Sequence, residues 1–476
     1  MEINDLTPAE RRVWEAFATG TAVDFHDAGE PERTVRAVVL RALMLNGPRQ
    51  EGEIPALRLN GAYITGALDL RHGAVDTSVR LSRCQFEESP RLYGSQIRQL
   101  NLRGSTLPGL DAGAVCMEGV LRLTDCRFRG PVRLSGARIA GALFMERAQF
   151  TSDTSDAVLQ LNHAEIGRDL LCQGLTADGE VLLTGAAVGG LVNFHEAELR
   201  CPGGTALNAE ALAAEADVVL RRVRTQGLLE LRGARIRGRL ILSRAHLSNP
   251  GGTALHATSC TIGELWLRKG PPVDGVVNLR RSQVELLDLE PDMVPGRIRF
   301  NSLTYTTLIP HEPAERRLPM LERDVDGYVP HAYEQLTAAY LRIGDDYAAR
   351  QVQLAKQRRL RATRAWYGRL WGYLQDVTVG YGFRPLRACA WLVSLLAVGS
   401  LVYALHEPPP LKPGEHPDFD PVFFTLDLLL PVISFGQEGA FAPQGGYQAL
   451  SYALVITGWI LATTVVTGVT RAVSRQ

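Results

Sequence analysis

From about Leu57 to Leu289 an apolar-x-apolar pair returns every five or six residues. The second members form a ladder: Leu59, Ile64, Leu70, Val75, Leu81 and Phe86. It resumes as Leu161, Ile166, Cys172, Ala177, Leu183, Val188, Phe194 and Leu199, and again as Leu220, Thr225, Leu231, Ile236, Leu242 and Leu247. A helix needs apolar residues at three and four, and a long strand needs every second position for longer. Very short strands that turn a corner at each step satisfy five and six, which is a β-solenoid. Charged residues take the outward places, as in Val132-Arg133-Leu134 and Leu229-Glu230-Leu231. Small residues such as Ala62, Ala137, Ala164 and Ala234 take the first inward slot, as a narrow core demands.

A longer repeat overlies the short one. Pro202-Gly-Gly-Thr-Ala-Leu207 recurs as Pro250-Gly-Gly-Thr-Ala-Leu255, and a related break lies at Thr151–Asp156. If each break is one step enlarged by a loop, the interval is two four-sided coils of about 22 residues. If it is two steps, three coils of a three-sided helix fit. Pro-Gly-Gly reads as a loop, which favours four sides.

Open strand edges at the ends of a solenoid need covering. Thr7-Pro8-Ala9-Glu10 carries an N-cap, a first-turn proline and a glutamate three after the cap, so a helix starts there with Val13, Trp14 and Phe17 on one face. A second helix is expected over about Glu32–Leu45, with Val35, Val38, Val39, Ala42 and Leu43 on its stripe. After Leu289, Tyr333–Ile343 and Asp345–Ala365 read as a helical hairpin punctuated by Gly344.

Two uncharged apolar runs close the chain, Ala388–Leu405 and Ala449–Thr470. At ~1.5 Å per helical residue both suit a bilayer core of ~30 Å. Arg358, Arg359, Arg361, Arg364 and Arg369 crowd the approach to the first, and the intervening loop is acidic. Basic flanks stay inside, so both termini are expected in the cytoplasm of a two-pass cell-membrane protein. Met1–Gly20 lacks the basic start and apolar run of a secretory signal, which agrees. The same arginines are candidate contacts for lipid headgroups. The expected domains are a helical cap (1–50), a cytoplasmic solenoid (51–305), a helical connector (306–385) and a two-span membrane domain (386–476).

Chemical motifs are sparse. Thr378-Val-Gly-Tyr-Gly382 spells a potassium-filter string but precedes the first apolar run, whereas a filter lies between two spans. The pore-loop position is held by Phe423–Phe435, a run too short to span. Asp427 within it is the candidate pore or membrane-depth acid. The other reading of this segment is an interfacial helix whose Asp427 faces water. No dinucleotide fingerprint, P-loop, GxSxG or HExxH occurs. His163, His195 and His256 fall on outward places. His406, Glu407, Glu415, His416, Asp418 and Asp420 lie in a proline-rich loop, which reads as solvated. Seven cysteines without a CxxC pair argue against a zinc site, and Cys84, Cys126, Cys172 and Cys260 take inward slots. The 51 basic and 51 acidic residues balance, so nothing global points to nucleic acid.

The order of elements resembles an actinobacterial family labelled membrane-associated oxidoreductase. The likeness rests on Thr7-Pro-Ala-Glu-Arg-Arg-Val-Trp14, Glu32-Arg-Thr-Val-Arg36, the Asn-Pro-Gly-Gly repeat at Asn249, Tyr333-Glu-Gln-Leu336, Ala355-Lys-Gln-Arg-Arg359, Thr378-Val-Gly-Tyr-Gly382 and Leu426-Asp-Leu-Leu-Leu-Pro431. The repeat is also similar to pentapeptide-repeat proteins, which implies a mainly β fold built on a right-handed β-solenoid, here with a helical cap, a helical hairpin and two transmembrane helices. The label implies redox activity, yet no motif receives it, so no catalytic, cofactor or metal residue is assigned. The expected role is a membrane-tethered scaffold whose faces bind an unidentified protein partner. A pore-loop-like channel, assembled as a homo-oligomer, and the labelled oxidoreductase stand as alternatives.

Overall fold

The computed structural model describes residues 5–152, 157–294, 296–363, 366, 385–412, 418–430 and 433–473, with side chains for all but 363, 385, 386, 388 and 463–473. It divides into two compact units, Met1–Ile343 and Gly344–Gln476.

The first unit is a parallel β-solenoid of about 11 turns. One coil shows its plan: strands Cys116–Met117, Leu121–Arg122, Arg127–Phe128 and Val132–Arg133 form four sides, and Arg138–Ile139 returns over Cys116–Met117. A plain coil is therefore 22 residues, as in the pairing of Leu121 with Leu143. Coils that carry a loop lengthen: Val181 pairs with Leu207 and Leu143 with Leu170. The two Pro-Gly-Gly stretches lie inside long strands, Glu198–Asn208 and His246–His256, at register shifts on one corner two coils apart. Four sides is thus the arrangement; the coils before Phe150 are plain, and from Phe150 to Asp274 every second coil carries a loop.

Every ladder residue named above is buried, including Thr225. Like stacks on like along a side, as in Leu121, Leu143, Leu170, Val192 and Val218. Phe128 and Phe150 stack with ring centroids 5.1 Å apart. Each buried Leu or Val contributes ~1.5–3 kcal/mol. Small inward slots sometimes hold hydroxyls that serve the backbone. Ser105 Oγ accepts from Cys84 N at 2.9 Å and donates to Leu81 O, and Ser282 does the same for Cys260 N and Ala257 O.

Two kinds of corner alternate. One places a residue in the left-handed region, often without glycine: Asp125 (φ 59), Arg147 (φ 52) and His163 (φ 55). The other presses backbone on backbone. A Cβ at Gly141 would stand 2.5 Å from Gly119 O.

The N-terminal cover begins with α1 (Pro8–Thr19), whose capping box is complete, with both Thr7 and Glu10 bonds present. The second expected helix is corrected. A short α2 (Glu30–Arg33) precedes a strand, Thr34–Arg36, which pairs with Tyr63–Thr65; α3 starts only at Ala37 and runs to Asn46. Val35 is buried as a strand residue stacked over Ile64, and Val38 is exposed. The β-branched Thr34-Val35 pair suits a pleated strand laid on an open edge. At the other end come α4 (Ala314–Glu322) and α5 (Pro330–Arg342). Fully buried Arg317 of α4 donates to Leu289 O and Pro310 O, and burial holds its guanidinium below the usual arginine range.

The second unit holds α6 (Asp346–Thr363), α7 (Pro385–Leu405), α8 (Pro421–Leu429) and α9 (Gly446–Val473). α8 packs on both α7 and α9 around Tyr403, Phe424, Leu428, Leu429 and Leu454. Two glycines permit it: a Cβ at Gly399 would meet Thr425 Cγ2 at 2.4 Å, and one at Gly458 would meet Leu429 O at 2.3 Å. Among the described residues no helix is long and apolar enough to cross a membrane.

Candidate functional site

Asp427 lies on α8, whose N-terminus is capped by Asp420 accepting from Val422 N and Phe423 N. Its carboxylate is buried and turned onto its own loop. It accepts from the backbone N–H of Phe435, of Gln437 at 2.7 Å and of Glu438 at 3.2 Å. The acid thus ties the returning segment to the helix that precedes it. It does not face water. Pro431 and Val432 of the Phe423–Phe435 run lie outside the described residues, as do the whole Thr378–Gly382 string, Arg364 and Arg369. Arg358, Arg359 and Arg361 are on α6.

The solenoid carries polar residues in rows along its faces. Among the described residues, arginines take a carboxylate from the preceding coil: Arg147 from Asp125, Arg200 from Asp178, Arg222 from Glu196, Arg224 from Glu198, Arg232 from Glu210, Arg237 from Glu215 and Arg239 from Asp217. Arg239 holds the half-buried Asp217 carboxyl below its usual range. These partners are 22 or 26 residues apart, so the pairing is invisible until the coil length is known.

His256 is not a free surface imidazole: its Nδ1 is 2.8 Å from Glu230 Oε2. Glu230 is buried, which pushes its carboxyl up, but His256 and the N–H of Arg232 outweigh burial and hold it below 4.5. His195 Nδ1 is 3.1 Å from Arg221 O, and His163 is exposed on a corner. Trp266 lies under two guanidinium groups, Arg268 at 4.3 Å and Arg239 at 5.3 Å from its ring centre, and donates Nε1–H to Glu264. Such cation–π contacts cover the ring without a hydrophobic partner.

The inward cysteines are core residues. Burial pushes the Cys84 and Cys126 thiols up to about 12 and Cys260 to about 11, and Cys172 rises well above its ordinary value. A thiol so held stays protonated and is a poor nucleophile. No group of three or more potential metal ligands occurs among the described residues. His406 stacks on Tyr447, and Glu415 and His416 lie outside the described residues.

A groove of about 800 Å3 runs across successive coils from Ala74 to Gly167. Its lining mixes small residues, Ala74, Cys116, Ala140 and Gly167, with the charged Arg98, Glu118, Arg138 and Glu165. Neither a protein-family model, a curated protein nor a solved structure matches this chain.

Proposed function

We propose that the chain is a membrane-tethered scaffold, with the solenoid as its interaction surface and both termini in the cytoplasm. The observation that carries the surface is the groove from Ala74 to Gly167, where small side chains leave room among charged ones. Such a channel suits an extended segment of a protein partner. Tethering is supported by the uncharged runs Ala388–Leu405 and Ala449–Thr470. It is also supported by the apolar side chains that α7 and α9 turn outward: Val393, Val398, Leu401, Tyr452, Ile456 and Trp459 are all more than half exposed. Large apolar side chains exposed in this number are unfavourable in water. The basic residues before α7 favour the cytoplasmic side and anionic lipid headgroups.

Two measurements test the reading. Membranes washed in alkaline carbonate should retain the full chain; release into the wash refutes the tether. A photo-crosslinking residue at Ala140 should trap one defined protein in cells, whereas one at Arg222 should not. Equal or absent adducts refute the groove as the surface.

A channel has one observation in its favour: α8 is seated against Gly399 and Gly458, within the two long helices, and the described residues 433–445 that follow form no helix. In that case Asp427 shapes the return segment, because both carboxylate oxygens are occupied by amides. Ion flux from the wild type in liposomes, lost in Asp427→Asn, supports it; no flux from the wild type removes it. The oxidoreductase reading rests on the resemblance, and a flavin or nicotinamide mass in a native mass spectrum would support it.

A further inference from the structure

The coil-to-coil rule, arginine beside carboxylate, reverses at one corner of the first coils. Arg58 lies directly opposite Arg80 on adjacent parallel strands, the one Arg–Arg step among the described strand pairings. Strands in a sheet are ~4.8 Å apart, and like charges set opposite each other destabilise it. Arg83 and Arg103 follow at the adjoining corner, where Arg83 N donates to Arg103 O at 2.8 Å, and Arg127 comes next. All five are exposed and line one groove of about 730 Å3, with Asn60, Ser82 and Thr106 as neutral hydrogen-bonding groups.

Little on the protein neutralises them. Asp125 is the single acid of the lining, and it already serves Arg147 at 2.7 Å and Arg103 at 3.5 Å. Arg58, Arg80 and Arg127 make no ion pair among the described residues. Arg83 acts on Asp24 through space, while the Asp24 carboxylate is held by His26 N and Asn60 Nδ2. The basic row is interrupted at Asn101, the next partner of Arg80, and Arg122 beyond it is turned onto the Phe144 ring, 3.9 Å from its centre. The row is therefore long enough for a compact anion and too short to track a polymer along the stack.

We propose that this corner binds a small oligophosphate. Guanidinium forks donate in pairs to phosphate oxygens, and two stacked forks with two at the corner match a ligand carrying phosphates in a row. The mutual repulsion of Arg58 and Arg80 is the mark of a site completed by an anion.

The test uses the full chain in detergent with inorganic triphosphate as probe, read by calorimetry and by the thermal midpoint. The wild type should bind and its midpoint should rise with ligand. Arg58→Ala/Arg80→Ala should weaken binding at least tenfold. Its ligand-free midpoint should equal or exceed the wild type's, because a repulsion has gone. Arg222→Ala, which removes a paired arginine elsewhere, should leave triphosphate binding unchanged. The proposal is overturned if triphosphate neither binds nor shifts the midpoint, if the double variant binds as the wild type does, or if the variant's ligand-free midpoint falls. Tighter capture of a short single-stranded oligonucleotide than of triphosphate, or binding to phosphoinositide vesicles without free triphosphate, also overturns it.

Discussion

Glu10→Ala removes the carboxylate that fastens the N-terminal cover, and its effect can be worked out bond by bond. Glu10 is fully buried and accepts four donors: Thr7 N at 2.9 Å, Arg36 N at 3.0 Å, and Arg36 Nε and Nη2 at 2.7 Å each. Removing one member of a buried pair costs ~3–5 kcal/mol. The Arg36 side chain is 44% exposed and can rehydrate, which cuts that to ~2 kcal/mol. Loss of half the capping box adds ~1 kcal/mol. The expected loss is about 3 kcal/mol, or about a hundredfold in the opening equilibrium. Hydrogen exchange of α1 and Thr34–Arg36 should report it directly, while coils beyond Leu100 keep their protection, because a repeat feels its neighbours first. The sign with pH follows from the same group. Burial pushes Glu10 up, but Arg36 and the two backbone donors outweigh it, so its folded pKa lies below 4.5. Its contribution is complete above 4.5 and is lost as pH falls through the folded value. Wild-type protection of α1 should thus fall below pH 4.5, and the variant's should not change for this reason. Unchanged exchange in Glu10→Ala at pH 7, or the same acid dependence in both proteins, would refute the reasoning.

Three further outcomes are expected. Gly141→Ala places a Cβ against Gly119 O and should cost ~1–3 kcal/mol or more, whereas Gly136→Ala, with open space but φ +66, should cost about 1 kcal/mol; urea unfolding of the two variants ranks them. Asp427→Ala leaves three amide groups without their acceptor, at roughly 1–3 kcal/mol for each group that stays buried, and limited proteolysis should then cut between Phe435 and Glu438 before any other point in the unit. Iodoacetamide at pH 8 should leave Cys84, Cys126, Cys172 and Cys260 unmodified in the folded protein and reach them only after denaturation, as mass spectrometry of peptides will show.

The stack was legible because its signal is local: two inward residues and a turn recur before chance can imitate them. The Thr7–Glu10 box was legible for the same reason. Val35 was misplaced because Val35, Val38, Val39, Ala42 and Leu43 fit helical spacing equally well, and only the open edge beside Tyr63–Thr65 favours a strand. The left-handed corners were hidden, since Asp125, Arg147 and His163 carry no glycine to announce them. Pairs such as His256–Glu230 and Arg239–Asp217 join residues a full coil apart, and separation in sequence conceals them. Asp427 was visible as an acid in an apolar run. Its three amide donors were not, because they come from a loop that folds back.

The loops two coils apart have a consequence for how such a chain can change length. Pro202 and Pro250 are 48 residues apart, which is one plain coil and one looped coil. A duplication or deletion of that span restores the same side, the same corner type and the same inward slots at both joints. Any shorter tandem change of a plain coil shifts the loop rhythm, and one that is not a whole coil turns core residues outward. The gene can thus lengthen or shorten the rod in double-coil steps of ~10 Å while the cover at each end keeps its fit.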